Sequence, residues 1–153
     1  SLFDAREDAN PCVTWRGAEV RRFQNNIYIM LPLQSFDSSI YLLWNGRSVI
    51  QLPVDLGELQ CDLQLGIGID PELLKEHVEV RFRQGGESLR LPARQGTHSL
   101  KKLFQEWHVP VWMRDRIPLV FYRHELIAVV GYAVNSAYLV DKNKKGMVFI
   151  SVR

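Results

Sequence analysis

The side chains best suited to chemistry in this sequence are basic, and they lie close together between residues 79 and 117. That stretch holds eight basic residues against four acidic ones, whereas the remainder has eleven basic against thirteen acidic, a net charge of −2. Because arginine and lysine bind phosphate groups, this clustering predicts an RNA-binding surface. The alternative, that each charged residue is merely solvated, stays open. The residues predicted to meet phosphates or to stack on bases are Arg81, Arg83, Arg90, His98, Lys101, Lys102 and Trp112.

No arrangement of residues predicts catalysis. Ser99 follows His98 directly, but adjacent residues on a loop that enters a helix rarely face each other, so Ser99 is predicted to cap that helix. The histidines are scattered and lack the spacing of metal ligands. Neither a Walker phosphate-binding sequence nor a GxSxG elbow occurs. The sequence therefore predicts no catalytic residue and no metal site.

The composition is that of an ordinary globular protein. Apolar residues make up 46% and charged residues 24% of the 153 residues, enough for one domain or one domain with a small appendage. Cys12 and Cys61 lack CxxC spacing and are expected to be reduced. No apolar run approaches the ~20 residues that cross a bilayer. A soluble protein in the cytoplasm, without a membrane partner, is therefore expected.

Alternating apolar residues and turn signals predict mainly strands from Cys12 onward. Asn45-Gly46 is the strongest hairpin signal and predicts that Ile40–Trp44 pairs with Ser48–Leu52. A hairpin turning at Arg123-His124 is also predicted, and its second arm should be a buried central strand. The other predicted strands are Cys12–Trp15, Ala18–Phe23, Ile27–Leu31, a short one near Leu59–Leu65, Val78–Phe82, Ser88–Leu91, Tyr132–Val140 and Met147–Val152.

The basic residues need a scaffold, and the sequence predicts one. Val78–Phe82 and Ser88–Leu91 should form a hairpin whose outer face carries Arg81, Arg83 and Arg90. The apolar stripe of the helix Leu100–Trp107 should turn Lys101 and Lys102 outward. A helical opening segment (1–9) and helical turns at Pro71–Glu76 and Trp112–Ile117 complete the expected elements. The predicted fold is α+β, a β-rich layered domain with one main helix.

Several motifs then occur together between residues 78 and 131: a V-RF--GG strand and turn, the helix SLKKLFQE, the segment VP-W-RDR-PL and a strand ending at Gly131. In these motifs the chain resembles the C-terminal domain of bacterial tRNA(Ile)-lysidine synthetase. The upstream stretch AREDANPCVTWRGAEVRRFQNNIYIM resembles the end of that family's middle domain, where an ANPC stop precedes an IRRF-type strand. Together these stretches cover most of the chain.

The resemblance implies an enzyme in the parent protein. Members of the family use ATP with magnesium to adenylate the wobble cytidine of the isoleucine tRNA with a CAU anticodon, and lysine then displaces the adenylate to give lysidine. The catalytic N-terminal domain of the family carries an SGGxDS pyrophosphate loop, whereas Gly85-Gly86 here precedes Glu87-Ser88. The chain is therefore expected to be a C-terminal fragment that has no catalytic motif and holds no cofactor itself.

The resemblance also implies a fold and a partner. The family's C-terminal domain is similar to a domain of the phenylalanyl-tRNA synthetase β subunit (the PheT/TilS-type fold), contacts the tRNA acceptor stem and helps to reject methionine tRNA. We expect residues 1–33 to end the middle domain and residues 34–153 to form the acceptor-stem-binding domain. By motif matching, the RNA-binding set gains Arg94, Arg114 and Arg116, although the last two could instead form salt bridges with Asp115 or Glu106. The alternative function is a protein-interaction or dimerisation module, and the parent protein could form a homodimer.

Overall fold

The computed structural model describes residues 12–15 and 17–153, which form a β-rich fold. The helices are α1 (Leu100–Glu106) and 3-10 helices at Pro71–Leu73, Val111–Arg116 and Ser136–Tyr138. Among the described residues, no helix is long and apolar enough to span a membrane. The predicted β-rich α+β fold with one main helix is confirmed. The strands are β1 (Cys12–Trp15), β2 (Ala18–Phe23), β3 (Asn26–Met30), β4 (Leu42–Trp44), β5 (Ile50–Gln51), β6 (Glu58–Leu65), β7 (Val78–Arg81), β8 (Ser88–Arg90), β9 (Thr97–Ser99), β10 (Leu119–Tyr122), β11 (Glu125–Val129), β12 (Ala133–Val134) and β13 (Lys145–Val152).

The described strands form four sheets. The first is β1-β2-β3, the second is the five-stranded order β12-β11-β10-β7-β4, the third is β13-β6-β5, and the fourth is the pair β8-β9. All of their pairings are antiparallel. The predicted strands at the N-terminal end are confirmed by this pairing, since β2 lies between β1 and β3.

Both faces of the five-stranded sheet are covered. On one face, Val80 packs in a core with Leu59 and Phe149 of the third sheet. On the other face, Leu119 packs in a second core with Phe104 of α1 and Leu89 of β8. The molecule is therefore layered, with α1 and the pair β8-β9 outermost. Because both sides are covered, β10 and β11 are almost wholly buried, which confirms the predicted buried central strand.

The helix α1 follows its predicted pattern. Its N-cap is Ser99, whose hydroxyl accepts a hydrogen bond from the backbone N–H of Lys102. Leu100, Leu103 and Phe104 are buried, whereas Lys101, Lys102 and Gln105 are exposed. The helix ends one residue earlier than predicted, because Trp107 takes the C-cap position. The inward stripe thus determines which side chains reach solvent.

The Asn45-Gly46 turn does not make the predicted hairpin. The strand before it, β4, pairs with β7, whereas the strand after it, β5, pairs with β6. The turn itself is local: Asn45 Oδ1 accepts from the backbone N–H groups of Arg47 and Ser48 at 2.8 and 2.9 Å. Trp44 is buried between the two sheets against Phe149, so the chain crosses from one sheet to the other instead of folding back.

The hairpin predicted between Val78–Phe82 and Ser88–Leu91 is also wrong. Strand β7 pairs with β4 and β10, and β8 pairs with β9. The turn between them is closed by the Glu87 carboxylate, which accepts from the backbone N–H groups of Gln84 and Gly85 at 2.8 and 3.0 Å. The Glu87 carbonyl then accepts from the backbone N–H of Leu100 at 2.9 Å. This hydrogen bond attaches the start of β8 to the start of α1. Leu89 of β8 is buried in the same core as Phe104 of α1.

Other differences lie near the C-terminal end. Only Ala133–Val134 of the predicted strand Tyr132–Val140 is extended in a sheet, because the Asn135 side chain accepts from Ala137 N–H and begins a 3-10 helix. The strand predicted near Leu59–Leu65 runs from Glu58 and pairs along its whole length with β13. The predicted helical turns near residues 71 and 112 are 3-10 helices. The helix predicted for residues 1–9 lies outside the described residues, and the predicted domain boundary at residue 33 stays a prediction.

Candidate nucleic-acid interface

Four of the predicted residues belong to the outer layer made of β8, β9 and α1, and we call this set the cationic layer: Arg90, Arg94, Lys101 and Lys102. Arg90 ends β8, opposite Thr97 of β9, and the loop between these strands carries Arg94. The layer is anchored by its apolar side, where Leu89 and Phe104 are buried in one core. All four cationic side chains point away from that core and are exposed.

The cations of this layer are largely free. Arg90, Lys101 and Lys102 form no ion pair with any residue in the described part of the chain. Arg94 Nη1 lies 2.9 Å from Glu106 Oε2, but both side chains are exposed. An exposed pair of this kind contributes at most about 1 kcal/mol, so a phosphate can compete for Arg94. The layer therefore presents positive charge to solvent.

The residue types in the first turn of α1 are unfavourable for the stability of the helix. Lys101 and Lys102 occupy the second and third helical positions, where the positive end of the helix dipole disfavours cations. A glutamate at the position of Lys102 would complete a capping box with Ser99. Two lysines at such a place make the helix less stable and the surface more positive than an acidic residue would.

Arg81 ends β7 and Arg83 follows two residues later, and each is paired with a carboxylate of the protein. Arg81 forms an ion pair with Glu79, and its guanidinium carbon lies 4.6 Å from the centre of the Phe121 ring. Arg83 Nε donates to Asp115 Oδ1 at 2.9 Å. Both arginine side chains are half-buried. They and Arg90 therefore do not share one hairpin face, which corrects that part of the sequence interpretation.

His98 lies on β9 opposite Leu89 and is half-buried. Its Nε2 atom is inaccessible to solvent and has no hydrogen-bond partner among the described residues. The ring edge therefore faces the protein. Stacking of His98 on RNA stays a prediction.

Trp112 lies in the 3-10 helix at Val111–Arg116 and is only 7% exposed. Its ring meets Tyr28 and Phe23 edge-on, with centroids 5.0 and 6.3 Å away. The guanidinium of Arg21 lies 5.6 Å from the same ring. We call this cluster, together with Arg114, the aromatic joint, because it attaches the first sheet to the 3-10 helix. A ring packed in this way holds two parts of the molecule together and has little surface left for a base.

Arg114 and Arg116 also serve packing. Arg114 is buried, its Nε donates to the Val109 carbonyl at 2.9 Å, and burial, followed by the charge of Arg83, lowers its pKa. Arg116 Nη2 donates to the Gln34 carbonyl at 2.6 Å, and its guanidinium lies 5.3 Å from the Phe36 ring. Neither forms the salt bridge considered from the sequence. Asp115 and Glu106 pair instead with Arg83 and Arg94.

Sequence reasoning missed Arg123 and His124 as site residues. They form the turn between β10 and β11 and lie beside a cleft of about 570 Å³ that Arg81 and Arg90 also line. The backbone φ angles of Arg123 and His124 are +49° and +66°, values that Asn and Gly adopt far more readily. An Arg-His pair at a two-residue hairpin turn was the signal that could have identified them. Within the described residues, no group of three His, Cys, Asp or Glu side chains is placed to hold a metal ion.

Comparison with known proteins gives consistent matches. Residues 78–151 match the family model of the TilS substrate C-terminal domain, and residues 1–28 match that of the TilS substrate binding domain. The tRNA(Ile)-lysidine synthase of Coxiella burnetii is 42% identical over 130 residues, 85% of this chain and 29% of the relative. That of Legionella pneumophila strain Paris is 37% identical over 141 residues, 88% of this chain and 30% of the relative. The chain thus spans about 30% of the length of these relatives.

A solved structure supports the fold independently. The crystal structure of a TilS C-terminal domain superposes with a TM-score of 0.57 at 20% identity, covering 74% of this chain and 99% of that one. At this level of identity the match concerns the arrangement of strands and helix alone. It agrees with the β-rich layered fold described above.

Proposed function

The chain belongs to the TilS family, and on that premise we propose that it is the tRNA-recognising part of a tRNA(Ile)-lysidine synthase. The proposed parent is an ATP-dependent ligase that converts the wobble cytidine of the CAU-anticodon isoleucine tRNA to lysidine. In this proposal the rest of the parent protein uses ATP, magnesium and lysine, while this chain binds the acceptor stem and helps to reject methionine tRNA. The relatives' name supports the reaction.

The observation that carries the binding role is the cationic layer. Its free lysines and arginine lie within the segment that matches the family's C-terminal domain. Duplex RNA is recognised mainly through phosphates and 2′-hydroxyl groups on the shallow minor groove, so exposed cations on a firm layer suit it. Each phosphate contact should make the slope of log affinity against log salt concentration more negative by about 0.7–0.9.

The experiment is a salt-series titration of the 153-residue chain by fluorescence anisotropy. The RNA ligands are a duplex with the acceptor-stem sequence of isoleucine tRNA and a duplex with that of methionine tRNA. Salt-sensitive binding with a preference for the isoleucine duplex is expected. Equal affinities would contradict a role in rejecting methionine tRNA, and the absence of binding at low salt would contradict acceptor-stem binding by this chain.

A second candidate function is association through the first sheet. Ile29 and Leu31 are 76% and 81% exposed and lie on one face of this sheet region. Val13 is also exposed, and it pairs with Val20, which pairs in turn with Ile29, so the three residues form one row across the sheet. Large exposed apolar side chains grouped on one face are typical of interfaces. Salt distinguishes the two functions: an apolar interface is not weakened by added salt, whereas phosphate binding is. A salt-insensitive dimer in analytical ultracentrifugation would favour this candidate.

A further inference from the structure

The cleft of about 570 Å³ beside the Arg123-His124 turn differs from the cationic layer in shape. It is concave and lies between that turn, the Gly85-Gly86 turn and strands β8 and β9. Its volume is within the range of pockets that hold one small ligand. A double helix is a broad convex surface and cannot enter such a cleft, whereas a single unpaired nucleotide fits its size.

Two arginines of the cleft, Arg90 and Arg123, expose guanidinium groups that an anion can reach. Arg90 has no ion-pair partner among the described residues, and Arg123 pairs only with Glu76, at 3.1 Å, where both side chains are well exposed. Arg81 is engaged by Glu79. Two carboxylates also line the cleft; they keep their negative charge, but each is engaged as a hydrogen-bond acceptor. Glu87 accepts backbone N–H groups of its own turn, and Glu125 accepts the Tyr138 hydroxyl at 2.9 Å.

The walls also suit a nucleotide. Thr97 and Ser88 supply hydroxyl groups, and the Arg81 guanidinium lies over the buried Phe121 ring. A guanidinium plane is one of the surfaces on which unpaired bases stack. His124, on the exposed side of the turn, adds a further ring.

The turn keeps this pair of side chains at a conformational cost. In a two-residue hairpin turn with both φ angles positive, Asn-Gly is the preferred pair, and a backbone outlier of this kind points to a functional constraint. We propose that the cleft binds an unpaired nucleotide of the RNA substrate, with its phosphate held by Arg90 and Arg123. This inference rests on the proposed function and adds a single-strand subsite to a surface that otherwise meets duplex.

The test replaces the turn by the pair that the backbone prefers. In the variant Arg123→Asn/His124→Gly, the cleft loses its charge and ring while the hairpin keeps its left-handed geometry. The matched control is Lys142→Asn, which removes one exposed positive charge from the loop before β13. Each protein is titrated with a blunt RNA duplex, the same duplex with an unpaired 3′ tail or 5′ tail, and the tail strand alone.

The wild-type chain should bind one of the tailed duplexes about tenfold more tightly than the blunt one, the gain expected for one seated base. The turn variant should lose that gain and keep its affinity for the blunt duplex within about twofold, and Lys142→Asn should keep both affinities. A tail that adds nothing, or a gain that survives in the turn variant, would overturn the cleft assignment while duplex binding stands. If the tail strand binds through the turn but the blunt duplex does not bind, duplex recognition fails and the cleft assignment stands.

Discussion

The aromatic joint and the cationic layer use the same kinds of residues for opposite purposes. In the joint, Arg114 is buried and donates to a backbone carbonyl beside Trp112. In the layer, Lys101 and Lys102 are exposed and have no ion-pair partner among the described residues. A basic residue in this sequence therefore contributes to stability where aromatic rings cover it, and to a positive surface where the apolar stripe of a helix turns it outward. Arg114 follows Lys102 by only 12 residues, so sequence proximity does not distinguish a packed basic residue from an exposed one.

The largest expected effect is in the joint. Trp112→Ala removes a nearly buried ring that touches Phe23 and Tyr28, and truncations of buried aromatic residues cost about 3–5 kcal/mol. We expect the free energy of unfolding, measured in urea, to fall by this amount. Trp107→Ala is the control, because that ring is only half-buried and stacks on Tyr132. Unchanged stability with weakened RNA binding would mean that Trp112 stacks on RNA after all.

The next effect concerns the buried arginine. Arg114→Ala leaves the Val109 carbonyl without its donor and should cost about 1–3 kcal/mol of stability. The salt slope of RNA binding, measured on the folded protein, should be unchanged, because a buried charge releases no counterion. A shallower slope would place Arg114 among the phosphate contacts and remove the distinction between joint and layer.

The lysines of α1 should show the reverse pattern. Lys101→Glu/Lys102→Glu should weaken RNA binding at least about tenfold, equivalent to ~1.4 kcal/mol. Stability should rise by about 0.3–1 kcal/mol, because glutamates favour the first turn and the second one completes a capping box with Ser99. Thermal melting and anisotropy titration measure the two quantities.

The matched control for the lysine pair is Lys142→Glu/Lys145→Glu, which changes one lysine in the loop before β13 and the first residue of that strand. This control should affect RNA binding far less, since it lies outside the cationic layer. A loss of stability in the α1 variant would contradict the observed orientation of the helix.

The smallest expected effect belongs to Arg94. Its pair with Glu106 is exposed on both sides, so Arg94→Ala should change the free energy of unfolding by less than about 0.5 kcal/mol. The loss of one phosphate contact should make the negative slope of log affinity against log salt concentration shallower by about 0.7–0.9. The control is Glu106→Ala, which removes the partner of Arg94 but keeps the arginine; it should leave that slope unchanged, because Arg94 stays available to RNA. A stability loss above 1 kcal/mol would assign Arg94 to packing.

Local signals predicted the elements that depend on local contacts. The spacing of Leu100, Leu103 and Phe104 predicted the buried face of α1, and Ser99 predicted its start. The pairing of β10 with β11 followed from the apolar run on either side of Arg123-His124. These features need only neighbours in the sequence, so the sequence contains all the information required.

Strand partners and the availability of charges needed the folded molecule. Asn45-Gly46 is a strong turn signal, but burial of Trp44 between two sheets sends the following strand to β6 instead of back to β4. Likewise, the sequence placed Arg90 on one hairpin with Arg81, whereas the Glu87-centred turn places β8 on the helix layer.

By itself the sequence determined the β-rich composition, the main helix with its outward lysines, and the family that the chain resembles. Only the tertiary structure decided that Trp112 and Arg114 are packed in a joint, and that Arg123 and His124 join Arg90 at one cleft. The physical reason is that helix faces depend on contacts three or four residues apart, whereas burial of a charge and closure of a cleft depend on segments that are distant in the chain.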